Sequence, residues 1–229
     1  GRHGHGLSRL PDYLADLESG KCKATAKPFI CHKHKGTTIV NGDGGIGSIV
    51  SLFATRIGIS TAKEYGISLV QVKNSSHFGC AGYYTRMACD NDIIGIAITS
   101  ASPRICPSNS KQAAFGNCAI SYGFPAKPEH IIIDYGISKI SSGMLRILDK
   151  IPHGYALDSE GNPTTDPSKA LKGSLVASGG HKGVAAAFAY SILTSALSET
   201  HLSSKARSHQ FIFINTQVFP YYQDSIEGF

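Results

Sequence analysis

The strongest constraint on this chain is a run of alternating apolar segments between residues 37 and 99. Residues 37–41 (TTIVN) read as a strand, 48–64 as a helix, 67–72 (ISLVQV) as a buried strand, 80–90 as a helix and 93–99 (IIGIAIT) as a strand. Strand–helix–strand repetition needs crossover connections, so it predicts an α/β fold with parallel pairing. In the first helix Ile49, Leu52, Phe53 and Ile57 recur at helical spacing and predict its buried face. Gly66 supplies its stop. Further strands are expected at 130–134 (HIIID) and 211–215 (FIFIN), and a short helix at 8–18 with Leu10, Tyr13, Leu14 and Leu17 on its apolar side. Residues 183–198 read as a buried Ala-rich helix, 152–168 as a surface loop of turn residues, and 1–36 as a polar segment.

The chain has 229 residues, 41% of them hydrophobic, which is enough for a sizeable core and argues against disorder. No repeat or low-complexity linker divides it, so residues 1–229 are read as one α/β domain. No apolar run reaches the ~18 residues of a membrane span, and the first ten residues lack a secretory signal. The sequence starts at Gly1 without a Met and is read as mature or trimmed. Six cysteines without a C-x-x-C are too sparse for a disulfide scaffold and suggest a reducing, cytoplasmic setting. The net charge of +6 is spread along the chain; it suits anionic small molecules and gives no nucleic-acid footprint.

Several short motifs could carry chemistry. Gly42-x-Gly44-x-x-Gly47 follows a strand and precedes a helix, as a dinucleotide fingerprint does, but the next strand ends at Lys73-Asn74 without the acidic residue that holds a ribose. A tight glycine turn is the competing reading. Cys31-His32-Lys33-His34 follows Cys22 by nine residues, a spacing that matches no common zinc pattern; a solvated basic loop is the alternative, and no metal site is expected. His5 and Arg9 are four residues apart, so a helical entry would place a proton carrier and a carboxylate clamp on one face. His77, in Asn74-Ser75-Ser76-His77-Phe78-Gly79, follows a buried strand at the end where open α/β folds build their crevices. Gly179-Gly180-His181-Lys182-Gly183 opens a helix with a cation but is not a phosphate-binding P-loop, since neither the Gly before Lys182 nor the Ser/Thr after it is present. It could bind a phosphate or merely start the helix.

In order and spacing, the segments His5-Gly6-Leu7-Ser8-Arg9-Leu10, Asp43-Gly44-Gly45-Ile46-Gly47 and Asn74-Ser75-Ser76-His77-Phe78-Gly79 with Ala81-Gly82-Tyr83-Tyr84 resemble the malate/L-lactate dehydrogenase family of the second type. Ser102-Pro103, Pro163-Thr164-Thr165-Asp166-Pro167 and Gly180-His181-Lys182-Gly183 continue the likeness. That group includes L-sulfolactate, ureidoglycolate and diketogulonate enzymes and reductases of cyclic imino acids such as piperideine-2-carboxylate. The resemblance implies an L-sulfolactate dehydrogenase-like, non-Rossmann mixed sheet with flanking helices, with the cofactor bound away from Gly42–Gly47. It implies reduction of a small 2-oxo acid or cyclic imino acid by NADH or NADPH, or the reverse oxidation. A homodimer with its site near the subunit interface is implied as well.

By position, the resemblance makes His5 the general acid/base, Arg9 the carboxylate ligand and His77 a second active-site histidine. Asp134-Tyr135-Gly136 matches a segment that contacts the cofactor and aligns an Asp with the site, so Asp134 counts as both catalytic and cofactor-binding. Ser100, Ala101 and Ser102 lie along the nicotinamide pocket, His181, Lys182 and Gly183 form a cofactor-contacting turn, and Asn117 is a substrate ligand. The chain departs from the family at His3-Gly4, where a hydroxyl is lost, and at Gly116-Asn117-Cys118-Ala119, where a Thr is lost. Gly136-Ile137-Ser138 and Met144 are further departures, and the family's N-terminal helices, much of its C-terminal region and loop residues near 148–150 and 200–209 are missing. These leave, beside the enzyme, the alternative of a degenerate homologue that binds ligand without turnover.

Overall fold

The computed structural model describes residues 5–107, 110–200 and 206–227. After a 3-10 turn at Leu7–Arg9 come α1 (Leu10–Glu18), β1 (Phe29–His34), β2 (Thr37–Asn41), α2 (Gly47–Tyr65), β3 (Ile67–Ser75), α3 (Ala81–Cys89) and β4 (Ile93–Thr99). The middle of the chain holds β5 (Pro103–Ile105), β6 (Phe115–Gly116), β7 (Ala119–Phe124), β8 (Ile131–Gly136), α4 (Ser142–Leu145), β9 (Ala156–Leu157) and β10 (Pro163–Thr164). Last come α5 (Pro167–Lys172), β11 (Ser174–Leu175), α6 (His181–Ser195), β12 (Arg207–Asn215) and α7 (Tyr222–Ile226).

These strands form a seven-stranded sheet, β1-β2-β3-β12-β4-β7-β8, and a five-stranded one, β10-β9-β11-β5-β6. The expected parallel pairing holds for β2 and β3, joined by the α2 crossover. It fails for β3 and β4, because β12 inserts between them and pairs antiparallel with both. The reason is packing: β12 carries the unbroken apolar run Phe211-Ile212-Phe213-Ile214, and Phe211 and Phe213 are fully buried beneath α2 and α3 with Val70, Val72 and Ala97. A strand that apolar is stable at the centre of a sheet and unstable at its edge.

Both long helices turn mainly small residues to the protein, with Ile59 of α2 the large exception. In α2 the buried face is Val50, Ala54, Gly58 and Ala62, while Ile49, expected inside, is 58% exposed and Phe53 and Ile57 are only half-buried. A Cβ on Gly58 would overlap the Phe213 ring, so helix and sheet meet too closely for larger side chains on that stripe. The same inversion corrects the expectation for 183–198: α6 buries Gly183, Ala187, Ser191 and Thr194 and exposes Phe188, Ile192 and Leu193. Two loop assignments also change. Cys31–His34 is an edge strand bonded to β2, and 152–168 contains the β9–β10 pairing with Ala156 and Thr164 buried. No helix among the described residues is long and apolar enough to cross a membrane.

A second cluster of buried residues, including Ile105, Ile137, Ile151, Leu175 and Ala187, fills the smaller sheet. The chain passes from one sheet to the other through 100–102 and returns through 117–118, and residues 137–141 follow β8 out of the large sheet. Those passages line the cavities described next. Gly58→Ala is expected to lower unfolding free energy in urea by about 1–3 kcal/mol through overpacking. Ile49→Ala should stay within about 0.5 kcal/mol; equal losses would mean that the large-residue face is the buried one.

Candidate active site

Ser76-His77-Phe78-Gly79-Cys80 leads from β3 into α3, and the start of α2 holds this loop in place. The Gly47 N–H donates to Ser76 Oγ (2.8 Å), and a Cβ on Gly47 would overlap the carbonyls of Ser76 and His77. The glycine cluster is thus a docking surface for the histidine loop. Its amides are already bound: Gly42 N–H to Lys73 O (2.8 Å), Gly44 N–H to Asn74 O (2.9 Å) and Gly45 N–H to Gly42 O (2.9 Å). This resolves the two readings of the fingerprint in favour of the tight turn.

His5, Arg9 and Tyr13 are spaced at i, i+4 and i+8, and the N-terminal helical segment brings all three to His77 or its cavity. The His5 ring stacks on His77, with centroids 5.7 Å apart and planes at 21°. His77 Nδ1 accepts the Gly79 N–H (3.2 Å). With Nδ1 an acceptor, the Tyr13 hydroxyl 2.8 Å away is also a donor, and the ring proton sits on Nε2. Burial pushes the His77 pKa down to about 3, reinforced by the charges of Arg9, His5 and Arg207. His77 is therefore a neutral ring that can donate a hydrogen bond through Nε2. Tyr13, read from the sequence only as an apolar helix position, supports the ring; its i+4 spacing from Arg9 was the available signal.

Arg9 donates through Nη1 to Asp12 Oδ2 (2.7 Å), and Arg146 reaches the same oxygen at 2.9 Å. Burial raises the Asp12 pKa, but the hydrogen bonds and charges of Arg146 and Arg9 outweigh it and hold the carboxyl below its ordinary value. Behind this layer, His209 is fully buried, with Thr99 Oγ1 at 2.7 Å from Nδ1 and Ser75 Oγ at 2.9 Å from Nε2. It stacks on Phe78 at 4.6 Å and so ties the ends of β3 and β4 to the histidine loop. Burial lowers its pKa to about 3. Neither His209 nor Arg207 stood out in the sequence, because their role depends on β12 lying between β3 and β4.

Two adjoining cavities collect most of the expected residues. One of about 380 Å³ is lined by His5, Arg9, His77, Ser100–Ser102 and Asn117. A second of about 800 Å³ is lined by Asn117, Tyr135, Gly136, Lys139, Lys182 and Gly183. Asn117 and Ser141 border both. Asn117 Oδ1 accepts the Ser138 N–H (2.7 Å), which leaves Nδ2 as the group it can offer. Met144 lines the second cavity, and Cys118 is buried against Ser191. Two expected residues line neither cavity. Asp134 Oδ2 accepts the Gly82 N–H (3.0 Å) and the Cys80 thiol (3.0 Å) at the start of α3, and exposed His181 opens α6. The His3-Gly4 departure lies outside the described residues. Cys22 is buried while Cys31 is exposed on β1, and among the described residues no three His, Cys, Asp or Glu side chains come together as a metal site.

A mixed sheet carrying a stacked histidine pair beside an arginine, rather than a Rossmann fingerprint, sets this α/β fold apart. The sequence profile described as malate/L-lactate dehydrogenase matches residues 1–227, and the chain belongs to that family. It is 35% identical over 207 residues to a malate/(S)-sulfolactate dehydrogenase of Methanothermus fervidus, covering 89% of this chain and 61% of the relative. It is 33% identical over 211 residues to a (2R)-3-sulfolactate dehydrogenase (NADP(+)) of Chromohalobacter salexigens, covering 89% and 62%. The solved sulfolactate dehydrogenase of Methanocaldococcus jannaschii superposes with a TM-score of 0.84 at 31% identity, covering 96% of this chain and 68% of that one. The chain thus spans about three fifths of the length of these curated relatives.

His77 and His209 both have folded-state values below the ordinary 6.5. As pH falls, the unfolded chain takes up these protons first. Their contribution to stability is whole above pH ~6.5 and is lost as pH drops toward 3. Nitrogen-15 spectra of the histidine rings at pH 5 are expected to show His77 neutral with its proton on Nε2; a doubly protonated ring there would contradict this geometry.

Proposed function

We propose that the chain carries the substrate half of an NAD(P)-dependent oxidoreductase site that interconverts a small 2-oxo acid, or a cyclic imino acid, and its reduced partner. The observation that carries this reading is the His5–His77 stack beside Arg9, in a cavity that continues past Asn117 into a cleft edged by Lys139 and Lys182. The names of the relatives support the same reaction type.

Arg9 holds the substrate carboxylate, because a guanidinium presents paired N–H donors to two oxygens. His77 donates Nε2–H to the carbonyl oxygen, and His5 delivers the proton that the oxygen takes up on reduction. Asn117 Nδ2 steadies the substrate. The nicotinamide cofactor supplies hydride to the substrate carbon when bound. The second cavity fits such a group: glycine at 136 keeps the wall beside Asn117 clear, since a Cβ there would press on the Asn117 amide, and the two lysines suit phosphates. Tyr135, Gly136, Lys182, Gly183 and Ser100–Ser102 are the residues that would hold it. Asp134 serves the site indirectly by fastening the start of α3, which follows the His77 loop. His181, which lines neither cavity, stays with this turn only as the residue before Lys182. A homodimer in the cytoplasm completes the reading; the exposed apolar residues of α6 are consistent with a partner surface.

The test is oxidation of NADH and NADPH, followed by absorbance, with pyruvate, oxaloacetate, sulfopyruvate and piperideine-2-carboxylate. Turnover of at least one is expected. His5→Ala should lower kcat by about 10²- to 10⁴-fold, and Arg9→Lys should raise KM more than it lowers kcat. Turnover unchanged in the His5 variant would remove its assigned role.

A further inference from the structure

The smaller cavity has an unusual charge balance. Four arginines, Arg9, Arg104, Arg146 and Arg207, line it, and among the described residues no Asp or Glu does. Three of the four have an evident counterpart. Arg9 and Arg146 share the Asp12 carboxylate. Arg104 donates to the carbonyls of Leu171 (2.9 Å) and Ala170 (3.1 Å), at the negative end of α5.

Arg207 differs. Its Nη1 donates to Ser100 O (3.2 Å) and its Nη2 to Ser102 Oγ (3.2 Å), both neutral acceptors, and among the described residues it makes no ion pair. Burial weakens its hold on the proton and the nearby charge of Arg9 adds to that effect; Cys118 and the more distant Asp16, which shares a neighbouring cavity with Arg207, offset it in part. A desolvated guanidinium whose hydrogen-bond acceptors are all neutral is costly and is better balanced when an anion joins it. Arg207 also borders the cavity together with His77, whose proton it repels as Arg9 does. Two guanidinium groups thus act on the ring that would receive the substrate carbonyl, and a single carboxylate can satisfy only one of them in bidentate fashion.

We propose that Arg207 is a specificity-determining residue that reads a second anionic group on the substrate, so that the site selects 2-oxo acids bearing a further acidic group on carbon 3. This rests on the reading of the cavity as the substrate site. Arg9 takes the carboxylate next to the reacting carbon, and Arg207 takes the far acidic group. The Ser100 and Ser102 acceptors hold the guanidinium plane in place, and three of its five N–H donors are not used by them. A substrate with a neutral methyl at carbon 3 leaves that charge without a directly bound anion, and this is what disfavours it.

The experiment compares kcat/KM for oxaloacetate and pyruvate in the parent, Arg207→Gln and Arg207→Lys proteins, alongside calorimetric binding of malonate and acetate, which do not react. The parent should favour oxaloacetate by about 10²-fold, Arg207→Gln should lose at least tenfold more kcat/KM for oxaloacetate than for pyruvate, and Arg207→Lys should restore part of the ratio. Equal losses for both substrates in Arg207→Gln would assign Arg207 a purely structural role and overturn the proposal. If no oxo acid is turned over, the dehydrogenase reading fails and binding decides this one separately. Malonate binding at least tenfold tighter than acetate, and weakened in Arg207→Gln, supports the second anion clamp. If Arg207→Gln does not fold, the parent's malonate-to-acetate ratio decides alone, and indifference between the two overturns the proposal.

Discussion

The close approach of α2 to the large sheet is the constraint on which the rest of the structure depends. It is possible only because Gly47 and Gly58 present no side chain where the His77 loop and the Phe213 ring lie. A helix held that near the sheet cannot bury its large residues on the contact face, so Val50, Ala54 and Ala62 go inside and Ile49 goes out. The same contact fixes Ser76 through the Gly47 amide and thereby sets where His77 stands. Packing and chemistry are coupled at one helix end.

From that anchor the site is built by convergence of segments distant in sequence. The N-terminal helical segment contributes His5, Arg9 and Tyr13; β3 leads into His77; and β12 contributes Arg207 and, one layer behind, His209. His209 bridges Ser75 and Thr99, so the ends of two strands that never touch are held in register by one buried ring. The ring must stay neutral to sit there, since a charged imidazole in that apolar stack would lose its solvation without gaining a counter-ion. The two-sheet arrangement adds the remaining walls, because the chain lines the cavities each time it crosses between sheets.

The electrostatics follow from the same geometry. Arginines from four segments meet around a histidine pair, and the nearest carboxylate, Asp12, is shared by two of them. Burial, reinforced by the positive field, lowers the affinity of His77 for protons, and the field raises that of the cavity for anions, so the ring is neutral while the guanidinium groups carry the charge.

Much of this was legible in the chain itself. The strands at 37–41 and 93–99, the two helices after Gly47 and Cys80, and the Gly66 stop follow from local pattern, because periodicity and turn chemistry act over a few residues. The spacing of His5 and Arg9, and the place of His77 after a buried strand, were equally local. Strand order, the inverted faces of α2 and α6, and the roles of Tyr13, Arg207 and His209 were not. Each depends on what lies opposite in three dimensions: β12 entering between β3 and β4, a phenylalanine ring against a glycine, a guanidinium brought from residue 207 to residue 100. The sequence by itself determined most of the longer strands and helices, though not the short strands at 29–34 and within 152–168, and which residues have the chemistry for proton transfer and anion binding. Tertiary structure alone decided which of them share a cavity, because that is settled by long-range packing that no local pattern encodes.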